Sequence, residues 1–261
     1  MIPTSSLVMI VVSLVLGFAV PICLAWWLVK KHNANLRTIL IGAATFIVFA
    51  LILETIVHQI VLKGPHGAAI QGNTLYLALY GGLMAGLFEE TGRFLSMKYL
   101  LKKEPTTVKP AIAYGIGHGG VEMIIVFGFT MISYLTMAVM ARAGQIDTLL
   151  SQTPAEAQGA VNELLSKLSE SNVGEWLMGI WERGTALILH LSLSILVWAA
   201  VRKGGKWLWL FPAAILLHAL VDGQAVILVK SASTLATETI LFAEAIAIAA
   251  FAFLVAKRIS S

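Results

Sequence analysis

The chain has 261 residues, 58% of them hydrophobic and only 12% charged, with a mean hydropathy of +0.86, whereas a soluble domain carries about 25% charged residues. That balance excludes an ordinary water-soluble domain, and in such a chain a net charge of +4 reflects membrane topology rather than a nucleic-acid partner. The single cysteine, Cys23, excludes an intrachain disulfide and any multi-cysteine metal site.

Apolar stretches of about 20 residues are long enough to span a bilayer as helices. In chain order the sequence predicts seven: Ser6–Val29, Leu36–Leu62, Thr74–Leu101, Pro110–Ala141, Gly174–Val201, Trp207–Val229 and Thr234–Ala256. No basic leader precedes the first stretch and Lys30-Lys31 follow it, so it is expected to be a retained span rather than a signal peptide. Pro21 is a candidate kink within it. The fold expected over residues 1–261 is therefore a single, all-α, polytopic transmembrane bundle, with the cell membrane and its lipids as surroundings.

Basic residues orient such a bundle, because cytoplasmic segments are enriched in Lys and Arg. With the N-terminus outside and the C-terminus cytoplasmic, 12 of the 18 basic residues fall inside and four outside, while Arg93 and Arg183 fall within spans. An even number of spans would destroy this alternation. The one long non-spanning stretch, 143–172, places Val161, Leu164, Leu165 and Leu168 at helical spacing, which predicts an extracytoplasmic amphipathic helix.

Several predicted spans carry ionisable groups, which are costly in a bilayer and persist where they pair, line a wet cavity or do chemistry. These are Glu89, Glu90 and Arg93 in the third span, and His118 and Glu122 in the fourth. The fifth holds Glu182, Arg183 and His190, and the sixth His218 and Asp222. Counted from the cytoplasmic end of each span at 1.5 Å per residue, the set from Glu89 to Asp222, without Glu182 and Arg183, shares one slab on the order of 12–22 Å deep. The slab is expected in the cytoplasmic half of the bilayer. Glu89 and Arg93, His118 and Glu122, and His218 and Asp222 are i,i+4 pairs, so each pair shares a helix face. Glycines at 81, 82, 86 and 92, and at 115, 117, 119 and 120, let the helices approach closely.

Glutamate and histidine together suit activation of water, by general-base action or on bound zinc. Neutral imidazoles with one or two carboxylates are a normal zinc set when three protein ligands leave one position open. Arg93 would hold a neighbouring carboxylate ionised and oriented. His218 with Asp222 suits an oriented imidazole or an oxyanion donor. Glu182 with Arg183 is expected to be a structural ion pair. Glu54, His58, Glu238 and Glu244 lie outside the slab and are expected to serve structural or interfacial roles.

Phe-Glu-Glu-Thr-Gly-Arg at 88–93, Gly-His-Gly-Gly-Val-Glu at 117–122 and His-Ala-Leu-Val-Asp-Gly at 218–223 resemble the motifs of the YhfC family. That family is related to the prenyl-protein (CAAX) and bacteriocin-processing intramembrane proteases and to PrsW. The resemblance implies a peptidase acting on a membrane protein or peptide, with Glu89 activating water and Glu90 and Arg93 in support. The second-motif group would be His118 or Glu122, and His218 with Asp222 would form the last motif. A metal, zinc in the first instance, would draw on His118, Glu122, His190 and His218; a metal-free glutamate mechanism is the other form. Two further classes share these residue types: a proton- or ion-coupled transporter, and a non-catalytic membrane scaffold of the same fold.

Overall fold

The computed structural model describes residues 2–259, and all regular structure among them is helical. Among the described residues, six helical segments are long and apolar enough to cross a membrane. They are α1 (Thr4–His32), α2 (Leu36–Leu62), α4 (Lys109–Arg142), α7 (Val173–Lys203), the segment Gly205–Ser231 that contains α8 (Leu210–Ser231), and α9 (Thr234–Ile259). The expected third span is the 22-residue helix α3 (Thr74–Leu95), extended by a π-helical turn over Ser96–Leu100. It has the length of a span, but Glu89, Glu90, Arg93 and its glycines dilute its hydropathy, so it does not qualify on composition. The expected amphipathic segment is present as α5 (Ile146–Gln152) and α6 (Ala155–Glu170).

Local chemistry sets the helix boundaries. Asn73 ends one connection and caps α3, its side-chain oxygen accepting from the backbone N–H of Leu75 at 2.9 Å and of Tyr76 at 3.1 Å. Asn35 caps α2 in the same way through Arg37 N–H. Gly204, in the left-handed region at φ 64°, follows the end of α7. Helix α1 runs through Pro21 without interruption.

The chain forms two compact units. The smaller comprises residues up to Val20 and Met123–Arg183. Its core joins Ile10, Met131, Ala138, Leu168 and Trp176, with Leu164 and Leu165 packed alongside, so the apolar stripe of α6 is a packed face. Glu163 and Lys167, 2.8 Å apart on the other side of α6, are well exposed, and such a pair adds little stability. Arg183 Nε donates to Glu182 at 2.6 Å, which is the ion pair anticipated from sequence.

The larger unit, Pro21–Glu122 and Gly184 onward, holds every residue of the polar cluster. Its centre is the second half of α7, where Leu193, Leu196, Val197, Trp198, Ala199 and Ala200 are fully buried. Large apolar side chains such as Leu79, Leu83, Leu216 and Leu220 are instead at least half exposed on α3 and α8. An apolar exterior around a polar interior suits lipid as the solvent.

Glycine decides how closely these helices pack. A Cβ on Gly82 would stand 2.3 Å from the carbonyl oxygen of Ala219, joining α3 to α8, and one on Gly117 would stand 1.9 Å from that of Ile39, joining α4 to α2. Backbone atoms block both positions, so relief requires the helices to separate. Gly117→Ala is therefore expected to destabilise the protein by about 1–3 kcal/mol, read as a lower unfolding temperature in detergent. Gly81→Ala, with open space around its Cβ, serves as the neutral control.

Candidate metal centre

Helix α3 delivers Glu89, Glu90 and Arg93 to the interior of the larger unit. All three are buried, with Glu90 and Arg93 fully so. The sequence left open which carboxylate Arg93 would hold, and the structure selects Glu90. Arg93 Nε lies 2.9 Å from Glu90 Oε2, and NH2 donates to Glu90 Oε1 at 3.1 Å. The same guanidinium reaches α7, where NH1 donates to the carbonyl of His190 at 3.1 Å and to Ser194 Oγ at short range. NH2 also lies 3.2 Å from His190 Nδ1.

Glu89, freed from Arg93, turns to the imidazoles. Its Oε2 lies 2.9 Å from His118 Nε2 and 3.8 Å from His190 Nδ1. His190 Nε2 in turn contacts Glu122 Oε2 at short range. Glu89, His118 and His190 each offer a ligand atom, and these atoms lie within 4.8 Å of one another, the geometry of a candidate metal centre. The three-residue group thus includes Glu89, expected as the water-activating base. Of the four ligand candidates His118, Glu122, His190 and His218 it takes His118 and His190, while Glu122 stands beside it at the His190 ring.

His218 is fixed separately. Its Nδ1 lies 2.9 Å from Glu90 Oε1 and its Nε2 lies 3.4 Å from Asp222 Oδ2, so the i,i+4 pair does share a face and adds Glu90 at its other side. The His218 ring stands edge-on to His190, with centroids 5.4 Å apart. The two groups are therefore one continuous cluster: Arg93 and Glu90 form its backbone, with His190 on one side and His218 on the other.

Two observations test whether this set fits a cation. His118 Nδ1 is buried and lacks a hydrogen-bond partner, although buried polar atoms are nearly always satisfied. The cluster also sets the enclosed carboxylates of Glu89, Glu90 and Glu122 against a single guanidinium, a set rich in negative charge in a medium that penalises it. A divalent cation would offset that charge, and Glu89, His118 and His190 together supply a mixed carboxylate and imidazole donor set, so the residues fit a metal.

One contributor, Ser194, and one neighbouring polar string were not identified from sequence. Ser194, one turn beyond His190, receives Arg93 and donates to the His190 carbonyl at 2.7 Å; its i,i+4 spacing from His190 was the available signal. Glu54 is buried in α2, with Oε1 3.1 Å from His58 Nε2, and His58 Nδ1 lies 2.8 Å from the hydroxyl of Tyr80. Both Glu54 and His58 lie outside the motif slab read from the sequence, and their contacts in the structure are with each other and with Tyr80. At α-helical spacing the buried face of α2, which includes Thr38, Gly42 and Thr45, would continue to Leu53. The π-helical stretch Ile47–Glu54 widens each turn and delays that face by about one residue. Leu53 is consequently exposed and Glu54 buried.

Comparison with known proteins agrees with the motifs. A family model described as YhfC intramembrane metalloprotease matches residues 16–247. The uncharacterized membrane protein YhfC of Bacillus subtilis (strain 168) is 35% identical over 228 residues, covering 87% of this chain and 86% of the relative. No solved structure matches the chain. Six apolar helices and this membrane-protein relative make the chain a multi-pass membrane protein.

Proposed function

The chain belongs to the YhfC family, and from that premise we propose that it is an intramembrane metallopeptidase that hydrolyses peptide bonds of membrane-associated substrates. The observation that carries this reading is the convergence of Glu89, His118 and His190 from three helices, with ligand atoms within 4.8 Å of one another. We place seven spans in the cell membrane, α3 included, with the N-terminus outside, the C-terminus cytoplasmic and 143–172 on the outer side. The cluster then lies in the cytoplasmic half of the bilayer. The positive-inside asymmetry supports this arrangement.

Glu89, His118 and His190 would hold the metal, with zinc as the first expectation from the mixed carboxylate and imidazole donors. When bound, such an ion polarises a carbonyl and lowers the pKa of coordinated water. The protein's own groups do the rest. Arg93 donates to the His190 carbonyl and to Ser194, so the turn of α7 that carries one ligand is held in place. Glu122, in contact with His190 Nε2, is the second carboxylate at the centre and is assigned as proton acceptor from the attacking water. Glu90 faces His218 Nδ1 and Asp222 faces Nε2, so the ring that carries protons on both nitrogens is the form assigned to meet the developing negative charge on the substrate oxygen.

Metal analysis of the purified protein, together with cleavage of transmembrane peptides in proteoliposomes, tests the proposal. A bound divalent ion and chelator-sensitive cleavage are expected. Metal-free protein that takes up a solute and cuts no membrane peptide would establish a transporter instead. Glu122→Gln is expected to retain the metal while cleavage falls about 10²- to 10⁴-fold. Loss of metal in this variant would make Glu122 a ligand rather than the base.

A further inference from the structure

The cluster is sealed on one side and polar on the other. Towards the ends of α3 and α7 that flank the 101–108 loop, Met97, Leu101, Tyr114, Leu193, Leu196 and Trp198 form a dry plug of fully buried side chains. The loop itself is tied over this plug. Trp198 Nε1 donates to the Thr107 carbonyl at 2.8 Å, and Arg202 donates to the carbonyls of Lys102 at 3.1 Å and Glu104 at 2.6 Å. Glu90 and Arg93, the cluster members nearest the plug, have no exposed side-chain surface.

Exposure rises in the opposite direction. His218 is 2% exposed and Glu89 10%, whereas His58 reaches 30% and Asp222 41%. An exposed carboxylate within a membrane-spanning helix is costly against lipid and inexpensive against water. Asp222 lies one turn beyond His218, in the direction of Ser231. Glu54, His58 and Tyr80 occupy the same third of the bundle, about 6–12 Å along their helices from the 63–73 connection. They form one hydrogen-bonded string across α2 and α3, while Asp222, on the α8 helix that packs against α3 at Gly82, joins the cluster through His218 at 3.4 Å.

We propose that Glu54, His58, Tyr80 and Asp222 line a polar vestibule through which water reaches the buried cluster from the face of the bilayer that carries residues 63–73, and not from the face that carries the 101–108 loop. Its role as a supply of hydrolytic water rests on the peptidase reading; the vestibule itself does not. Under the orientation proposed above, the vestibule opens to the outside.

Cys23 is the sole cysteine, so a Cys23→Ser background permits accessibility mapping. His58→Cys, Tyr80→Cys and Glu54→Cys would each be exposed, in sealed vesicles, to a membrane-impermeant sulfonated maleimide added to one side at a time. Lys63→Cys marks the loop face, and Leu79→Cys marks the lipid-facing surface. A thiol reacts as its thiolate, which forms in water and not in lipid. His58→Cys and Tyr80→Cys are expected to label at least about tenfold faster than Leu79→Cys, and from the same side as Lys63→Cys. Labelling of Lys63→Cys alone would overturn the proposal, as would reaction of the test positions only from the opposite side. If one variant fails to accumulate, the other decides. Labelling without peptide cleavage would leave the vestibule standing and remove the peptidase; cleavage without labelling would do the reverse.

Discussion

Glu89→Gln is expected to abolish peptide cleavage and lower metal content together, while the protein remains folded. The substitution keeps the shape of the side chain and removes the one carboxylate that faces both His118 and His190. Loss of a metal-binding carboxylate removes the charge and the donor at once, so the metal-to-protein ratio should fall well below that of the parent. Cleavage should drop by about 10²-fold or more, the lower bound for losing a positioned carboxylate. Stability should change little, because the cluster is already rich in negative charge and Glu89 makes no ion pair with Arg93 as close as that of Glu90. Elemental analysis, cleavage rate and unfolding temperature on one preparation check the three parts. Retention of the full metal content would refute the assignment of Glu89 as a ligand.

Replacing Arg93 is expected to produce a different failure. Its side chain is fully buried and divides its donors among Glu90, His190 and Ser194. Arg93→Ala would leave the Glu90 carboxylate buried beside a cavity, and removing one partner of a buried pair typically costs about 3–5 kcal/mol. Arg93→Lys keeps the charge but cannot reproduce the planar fork that reaches two helices at once. The lysine variant should therefore fold, bind metal about 10- to 100-fold more weakly through the misoriented His190, and lose cleavage with it. Unfolding temperature separates the alanine variant from the lysine variant, and a metal titration measures the second effect. Equal metal affinity in Arg93→Lys and the parent would show that His190 is held without Arg93.

These two outcomes separate a ligand from the residue that aims ligands, a distinction that spacing alone does not supply. Glu89 and Glu90 are adjacent in the third predicted span, and both are within reach of Arg93 on a helix. Only the packed structure shows Arg93 facing Glu90 and α7 while Glu89 faces α4. In the same way, His118 and Glu122 share a face as their spacing predicted, yet they meet different partners: His118 meets Glu89, and Glu122 meets His190.

The membrane character, the helical architecture and the residues of the cluster were legible in the sequence, because each rests on a local property. Hydrophobic length sets a span, the cost of a charge in lipid singles out the buried ionisable groups, and the i,i+4 period places them on common faces. The helix in 143–172 was legible for the same reason, from the apolar stripe at Val161, Leu164, Leu165 and Leu168. What the tertiary structure decided was partnership. Which carboxylate Arg93 neutralises, which three groups converge on a cation-sized space and how Ser194 joins them depend on the rotation of each helix about its axis, and contacts between helices set that rotation. Glu54 is the sharpest case. An α-helical period places it off the buried face, and the wide turns of Ile47–Glu54 bring it inside. That departure from regular geometry is a property of the packed bundle and leaves no mark in the hydropathy of α2.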